Sequence, residues 1–130
     1  MIGTLAIVSY AYSKQNGNIF ANKTEIRKSS LSVNLHTPEG LKALVSSYNS
    51  KYGETLYALA NCESGFKDIC ITDTNGKLSC GIFMFQRDTF YGFCSGNWLN
   101  PIDELKCADK MISNGLMAVH WKNCSKQILK

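Results

Sequence analysis

Six cysteines, Cys62, Cys70, Cys80, Cys94, Cys107 and Cys124, all fall from residue 62 onward in this 130-residue chain. Their number is even and no two have the C-x-x-C spacing. The pattern therefore argues against a structural zinc site or a thioredoxin-type motif, and for three disulfides formed in an oxidising compartment. Free thiols in a reducing compartment are the competing reading. Six cysteines permit fifteen pairings, so the fold must be read from what lies between them. A chain of this length supplies one core, and with 45% hydrophobic and 18% charged residues it is neither disordered nor of low complexity. The formal net charge of +4 suits an anionic partner. Lys and Arg are scattered, with Arg27-Lys28 the one basic doublet, so no nucleic-acid partner is expected. No apolar run approaches the roughly 20 residues of an integral membrane span.

The chain divides into an N-terminal arm, residues 1–36, and a domain, residues 37–130. Ile2 to Tyr12 is mostly apolar, and Ser9-Tyr10-Ala11 has the small-x-small form of a cleavage site, yet no Lys or Arg precedes it. A short or truncated export signal and a first strand both remain open. Residues 13–36 are polar and lack helical period. Thr37-Pro38-Glu39 is a helix start, with a capping hydroxyl, Pro at the first helical position and an acid near the positive end of the dipole. Leu41, Leu44, Val45 and Tyr48 follow at helical spacing. A second helix runs from about Glu54 to Ser64, with Tyr52, Leu56, Leu59 and Ala60 on one stripe and Gly65 as its stop.

Ile69 to Thr72 and Lys77 to Cys80 read as the two strands of a hairpin. With a Thr74-Asn75-Gly76 loop and Gly76 left-handed, Asp73 pairs with Lys77 and Cys70 stands opposite Cys80. Facing α-carbons lie about 4.5–5.5 Å apart, a distance a disulfide spans. Gly81 to Phe85 reads as buried, and Thr89 to Cys94 as a short helix or turn. Asn100-Pro101 caps a helix whose face carries Ile102, Leu105, Ala108, Asp109 and Ile112. A Cys94–Cys107 bridge would close the loop ahead of that helix. A last short helix holds Leu116, Val119, His120 and Trp121, and Ser125 to Lys130 reads as a frayed end. The expected class is α+β, mainly helical with one small β-hairpin.

Extending the Leu56/Leu59 stripe by a turn reaches Glu63. A carboxyl on an apolar stripe is desolvated, which raises its pKa and keeps it protonated near neutrality, as a general acid must be to protonate a glycosidic oxygen. The competing reading is a helix-end carboxylate turned to solvent. Context decides between them. Glu63-Ser64-Gly65-Phe66, Asn75-Gly76, Ser79-Cys80-Gly81-Ile82-Phe83, Gln86 and Thr89-Phe90, in this order, closely resemble the lysozyme-like superfamily, and in particular soluble lytic transglycosylases and goose-type lysozymes. Cys107-Ala108-Asp109-Lys110-Met111-Ile112, with Trp121 and Cys124, also resembles c-type lysozymes. The likeness covers roughly residues 54–124. It implies a lysozyme-like domain acting on peptidoglycan glycan strands, with Glu63 as catalytic acid, no cofactor or metal, a monomeric state, and a secreted, periplasmic or cell-wall location. It also implies a Cys62–Cys124 bridge, the pair left once the other two are assigned.

The second carboxylate distinguishes the branches. Where c-type lysozymes carry Asp, two residues before the Gly of the G-I-F segment, this chain has Ser79. Lytic transglycosylases have Ser at the matching place and work with one acid. The resemblance therefore implies cleavage of the MurNAc–GlcNAc β-1,4 bond to a 1,6-anhydro product, with Ser79 hydrogen-bonded to Glu63 or to the substrate's acetamido group. Asp68 and Asp73 keep hydrolysis open, since goose-type lysozymes place acids on the hairpin side of the cleft, although Asp73 is also ordinary turn chemistry. Gln86 matches the second Gln of the transglycosylase pattern and is a substrate-binding candidate. Met84 replaces the first Gln, and the Y-N-x-G motif is missing. These two departures favour a third reading, a glycan-binding relative without activity. Trp121 either stacks on a sugar or belongs to the core. Trp98 is a loop residue available to the cleft, and Phe83 and Phe85 read as core. His36 and His120 read as surface or structural.

Overall fold

The computed structural model describes residues 34–129. The expectations for Ile2–Tyr12, for most of the arm and for Lys130 lie outside them. Helix α1 (Pro38–Ser47) starts as its sequence requires: Thr37 is extended, and its hydroxyl accepts the Gly40 N–H at 3.1 Å. Helix α2 (Gly53–Ser64) buries Leu56, Leu59 and Ala60 and ends at Gly65, in the left-handed region. It packs against α1 and against the two later helices α4 (Pro101–Ser113) and α6 (Lys122–Ile128). The helix that carries Glu63 is thus held by three others.

Strands β1 (Cys70–Thr72), β2 (Leu78–Cys80) and β3 (Phe85–Gln86) form an antiparallel sheet in the order β1-β2-β3. The hairpin has the expected register. The Asp73 N–H donates to the Lys77 carbonyl at 2.8 Å, Gly76 has φ 80°, and Cys70 faces Cys80. A side chain at 76 would have to hold the left-handed conformation that glycine adopts without cost. The third strand was not anticipated, because two residues are too few to show alternation. All three bridges are present: Cys62–Cys124, Cys70–Cys80 and Cys94–Cys107. The described residues are mainly helical with one small sheet, an α+β fold.

Helix α3 (Arg87–Phe93) begins two residues before the expected Thr89 and buries Phe90. Asn100 caps α4 through its side-chain oxygen, which accepts the N–H groups of Ile102 and Asp103. The buried face of α4 differs from the apolar stripe read in the sequence. Ile102 is 40% exposed, and the face runs through Pro101, Glu104, Leu105, Ala108, Met111 and Ile112. An acid thus holds a core position. Asp109 is half-buried and accepts hydrogen bonds from Ser50 at 2.5 Å and Tyr48 at 3.4 Å, tying α4 to the α1–α2 connection. The end of the chain is also different. Instead of one short helix and a frayed tail, α5 (Met117–His120) and α6 meet at Trp121. Val119 is exposed and Ser125 is buried, because α6 lies on α2 and is pinned there by Cys124.

Candidate active site

Glu63 is the next-to-last residue of α2. Its carboxyl is half-buried, and among the described residues no hydrogen bond to it is found. Burial lifts its pKa above the ordinary value, and the negative charge of Asp73 lifts it further. Desolvation is thus the leading cause, as the stripe arithmetic implied, and Asp73 lies close enough to act on it.

Asp73 stands where β1 enters the hairpin turn. The Ser79 hydroxyl, from β2, donates to its Oδ2. Gln86, from β3, donates to the same oxygen at 2.7 Å. These two hydrogen bonds hold the Asp73 carboxyl below the usual range, so it is the anion of the pair. Gln86 is itself braced by Asn75: Nε2 donates to Asn75 Oδ1 and Nδ2 of Asn75 donates to Gln86 Oε1, both at 3.3 Å. Pairing of the three strands brings Ser79 of β2 and Gln86 of β3 onto the carboxylate that follows β1. Ser79, buried beneath it, bonds Asp73 rather than Glu63.

Asp73, Ser79 and Gln86 line a cavity of about 140 Å³ together with Met84, Thr89 and His120. Glu63 does not line it; its link is electrostatic, through Asp73. Trp121 borders the cavity, but it is only 4% exposed, donates its indole N–H to the Phe83 carbonyl at 2.8 Å and packs edge-on against Phe85. It is a core residue with little ring face to offer a sugar. Phe83 and Phe85 are core, as read. Met84, where the resemblance leads one to expect Gln, has φ 53°, a left-handed conformation that costs a non-glycine residue of order 1 kcal/mol.

Trp98 lines a different cavity, with Lys77, Leu78 and Arg87. Asp68 is not gathered with Asp73; its electrostatic neighbours are His36 and Glu104. His120 is exposed, in keeping with its reading as a surface or structural residue; it also lines the Asp73 cavity and stacks edge-on with Phe93. Its position just before a core Trp was the available signal for its place at the cavity.

The coupling of the two carboxyls gives a direct expectation. Asp73→Asn removes the charge that raises Glu63, so the Glu63 titration should move down toward the ordinary carboxyl range, read by carbon-13 NMR of the side-chain carboxyl. An unmoved titration would show that the two groups do not interact. No protein-family model, curated protein or solved structure matches the chain.

Proposed function

We propose that the chain cleaves the β-1,4 bond between N-acetylmuramic acid and N-acetylglucosamine in peptidoglycan, as a lytic transglycosylase with Glu63 as its acid. The observation that carries this reading is the split pair: a Glu held up by burial and by the charge of Asp73, and an Asp held down by the hydrogen bonds from Ser79 and Gln86. Environments that drive two carboxyls apart in pKa mark an acid and an anion at a glycosidic bond. Protonated Glu63 gives its proton to the leaving oxygen as the bond to the anomeric carbon breaks. The resulting carboxylate then takes the proton of the sugar's 6-hydroxyl as that oxygen attacks the same carbon. No water is consumed. Ionised Asp73 stabilises the positive charge that develops on the ring. The net charge of +4 suits an anionic wall polymer, and three disulfides suit a protein working in an oxidising compartment outside the cytosol. Among the described residues no helix is long and apolar enough to cross a membrane.

One observation favours hydrolysis as a second reading. Asp73 is a firmly ionised second carboxylate in a small polar cavity, and such a group can orient a water for attack on the ring. Mass spectrometry of peptidoglycan digested in oxygen-18 water separates the two. The first reading expects 1,6-anhydromuropeptides without label. Reducing ends carrying one oxygen-18 would assign the chain as a hydrolytic lysozyme. Retention of the glycan on the protein with no cleavage at all would make it a binding relative.

A further inference from the structure

Glu104 is fully buried in the first turn of α4, and the reaction proposed above does not use it. Its Oε1 accepts the Ile82 N–H at 3.1 Å, and the Phe83 N–H also acts on the carboxyl. Its Oε2 has no partner among the described residues. The carboxyl occupies the space that a side chain at residue 81 would need: a Cβ on Gly81 would lie 1.9 Å from Oε1 and 2.0 Å from Oε2. The fit is therefore built from both sides.

What Glu104 holds is the Gly81–Met84 turn, closed by the Met84 N–H on the Gly81 carbonyl at 3.1 Å. Two other side chains grip the same turn. The Ser64 hydroxyl, from the end of α2, donates to the Ile82 carbonyl at 2.9 Å, and the Trp121 indole donates to the Phe83 carbonyl at 2.8 Å. The turn leads directly into β3, whose Gln86 holds Asp73. Ile82 is thus bonded to α4 through its N–H and to α2 through its carbonyl, and the α2 partner is the residue next to Glu63.

We infer that Glu104 is a positioning residue for Glu63, its buried carboxyl fastening to α4 the residue, Ile82, that Ser64 grips from the catalytic helix. This rests on the reading of Glu63 as the acid. A fastener of this kind works as the neutral acid, since a bare carboxylate with one unpartnered oxygen has no solvation there. Burial, aided by the charge of Asp68, raises the Glu104 pKa from 4.5 to about 9, while the two backbone N–H groups pull the other way. Asp68, from the segment after α2, is the charged group acting on it from outside α4, and Asp68 faces His36 in turn. The sign follows from the direction of the shift. The folded chain keeps a proton that the unfolded chain loses above 4.5, so the contribution of Glu104 to stability is greatest below that pH and is lost as pH rises toward about 9.

The test uses the full chain and its Glu104→Gln and Glu104→Leu variants. The Glu63 carboxyl carbon is followed by NMR as a function of pH, beside the thermal unfolding midpoint. In the native chain the Glu63 signal should show its own inflection and a second near pH 9, when Glu104 ionises. Glu104→Gln keeps the acceptor oxygen; it should lose the second inflection and show a flatter pH dependence of the midpoint. Glu104→Leu should displace the Glu63 titration and lower kcat roughly tenfold with KM little changed, with Glu104→Gln restoring both. A native chain with a single Glu63 inflection overturns the inference, whether or not the Leu variant folds. Two inflections in a chain that digests no wall polymer overturn instead the reading of Glu63 as an acid.

Discussion

Glu63→Gln is expected to lose about 10²–10⁴-fold in the rate at which purified cell walls are solubilised, the range that a positioned acid contributes to a transition state. Gln keeps the shape and removes the proton that the leaving oxygen must receive. The same change should leave folding intact or improved. Among the described residues no hydrogen bond to Glu63 is broken by it, and a carboxyl whose pKa is raised mainly by burial opposes folding at neutral pH. Removing that carboxyl removes the opposition, so the thermal midpoint at pH 7 should be unchanged or higher. Activity and stability moving in opposite directions is what a functional, rather than structural, buried acid predicts. Turbidity loss of a wall suspension and a melting curve on the same sample measure both. A variant that retains most of its activity would remove Glu63 from the reaction and the proposed mechanism with it.

Removing the Cys62–Cys124 bridge, as a Cys62→Ser/Cys124→Ser double variant, is expected to cost about 4 kcal/mol, because the bridge closes a loop with sequence separation 62. For a region of this size that corresponds to a fall of roughly 20 °C in the unfolding midpoint. The same arithmetic gives about 3 kcal/mol for Cys94–Cys107 and a little less for Cys70–Cys80, with separations of 13 and 10. The order of the three double variants in a melting experiment is therefore the prediction. It has a local side as well. Cys62 adjoins Glu63 and binds the end of α2 to α6, so its loss should also broaden the Glu63 carboxyl signal. If the Cys62–Cys124 variant melts no lower than the Cys70–Cys80 variant, chain entropy is not what this bridge contributes.

The parts of the fold legible in the sequence are those set within a few residues. Thr37-Pro38 and Asn100-Pro101 start helices because a cap acts over three residues. The hairpin register follows from the turn at Asp73 to Gly76, and with it the pairing of Cys70 and Cys80. Glu63 was legible because a stripe of helical period leads to it. The partner of Ser79 was not, because Asp73 reaches it only once the hairpin has closed, and Gln86 joins them only when β3 pairs with β2. Glu104 does not stand out in the sequence, for a different reason. An acid in the first turn of a helix is ordinary dipole chemistry, and Asp103 beside it is that kind of residue. The available signal was its spacing, three residues after Pro101 and three before Cys107 on the buried face, and a pattern that scores acids as polar passes over it.

The interlock between Gly81 and Glu104 also restricts the order in which the chain can change. The two residues lie 23 positions apart and share one volume. A shorter or neutral residue at 104 is accessible while 81 is glycine, at the cost of the Ile82 bond where no acceptor remains. The reverse order is closed: any side chain at 81 meets the carboxyl of Glu104 and must also adopt a φ of 84°. In the language of epistasis, position 104 is the gate and position 81 the step behind it. A lineage that adapts this domain to alkaline surroundings would therefore change its buried acid first and keep its glycine.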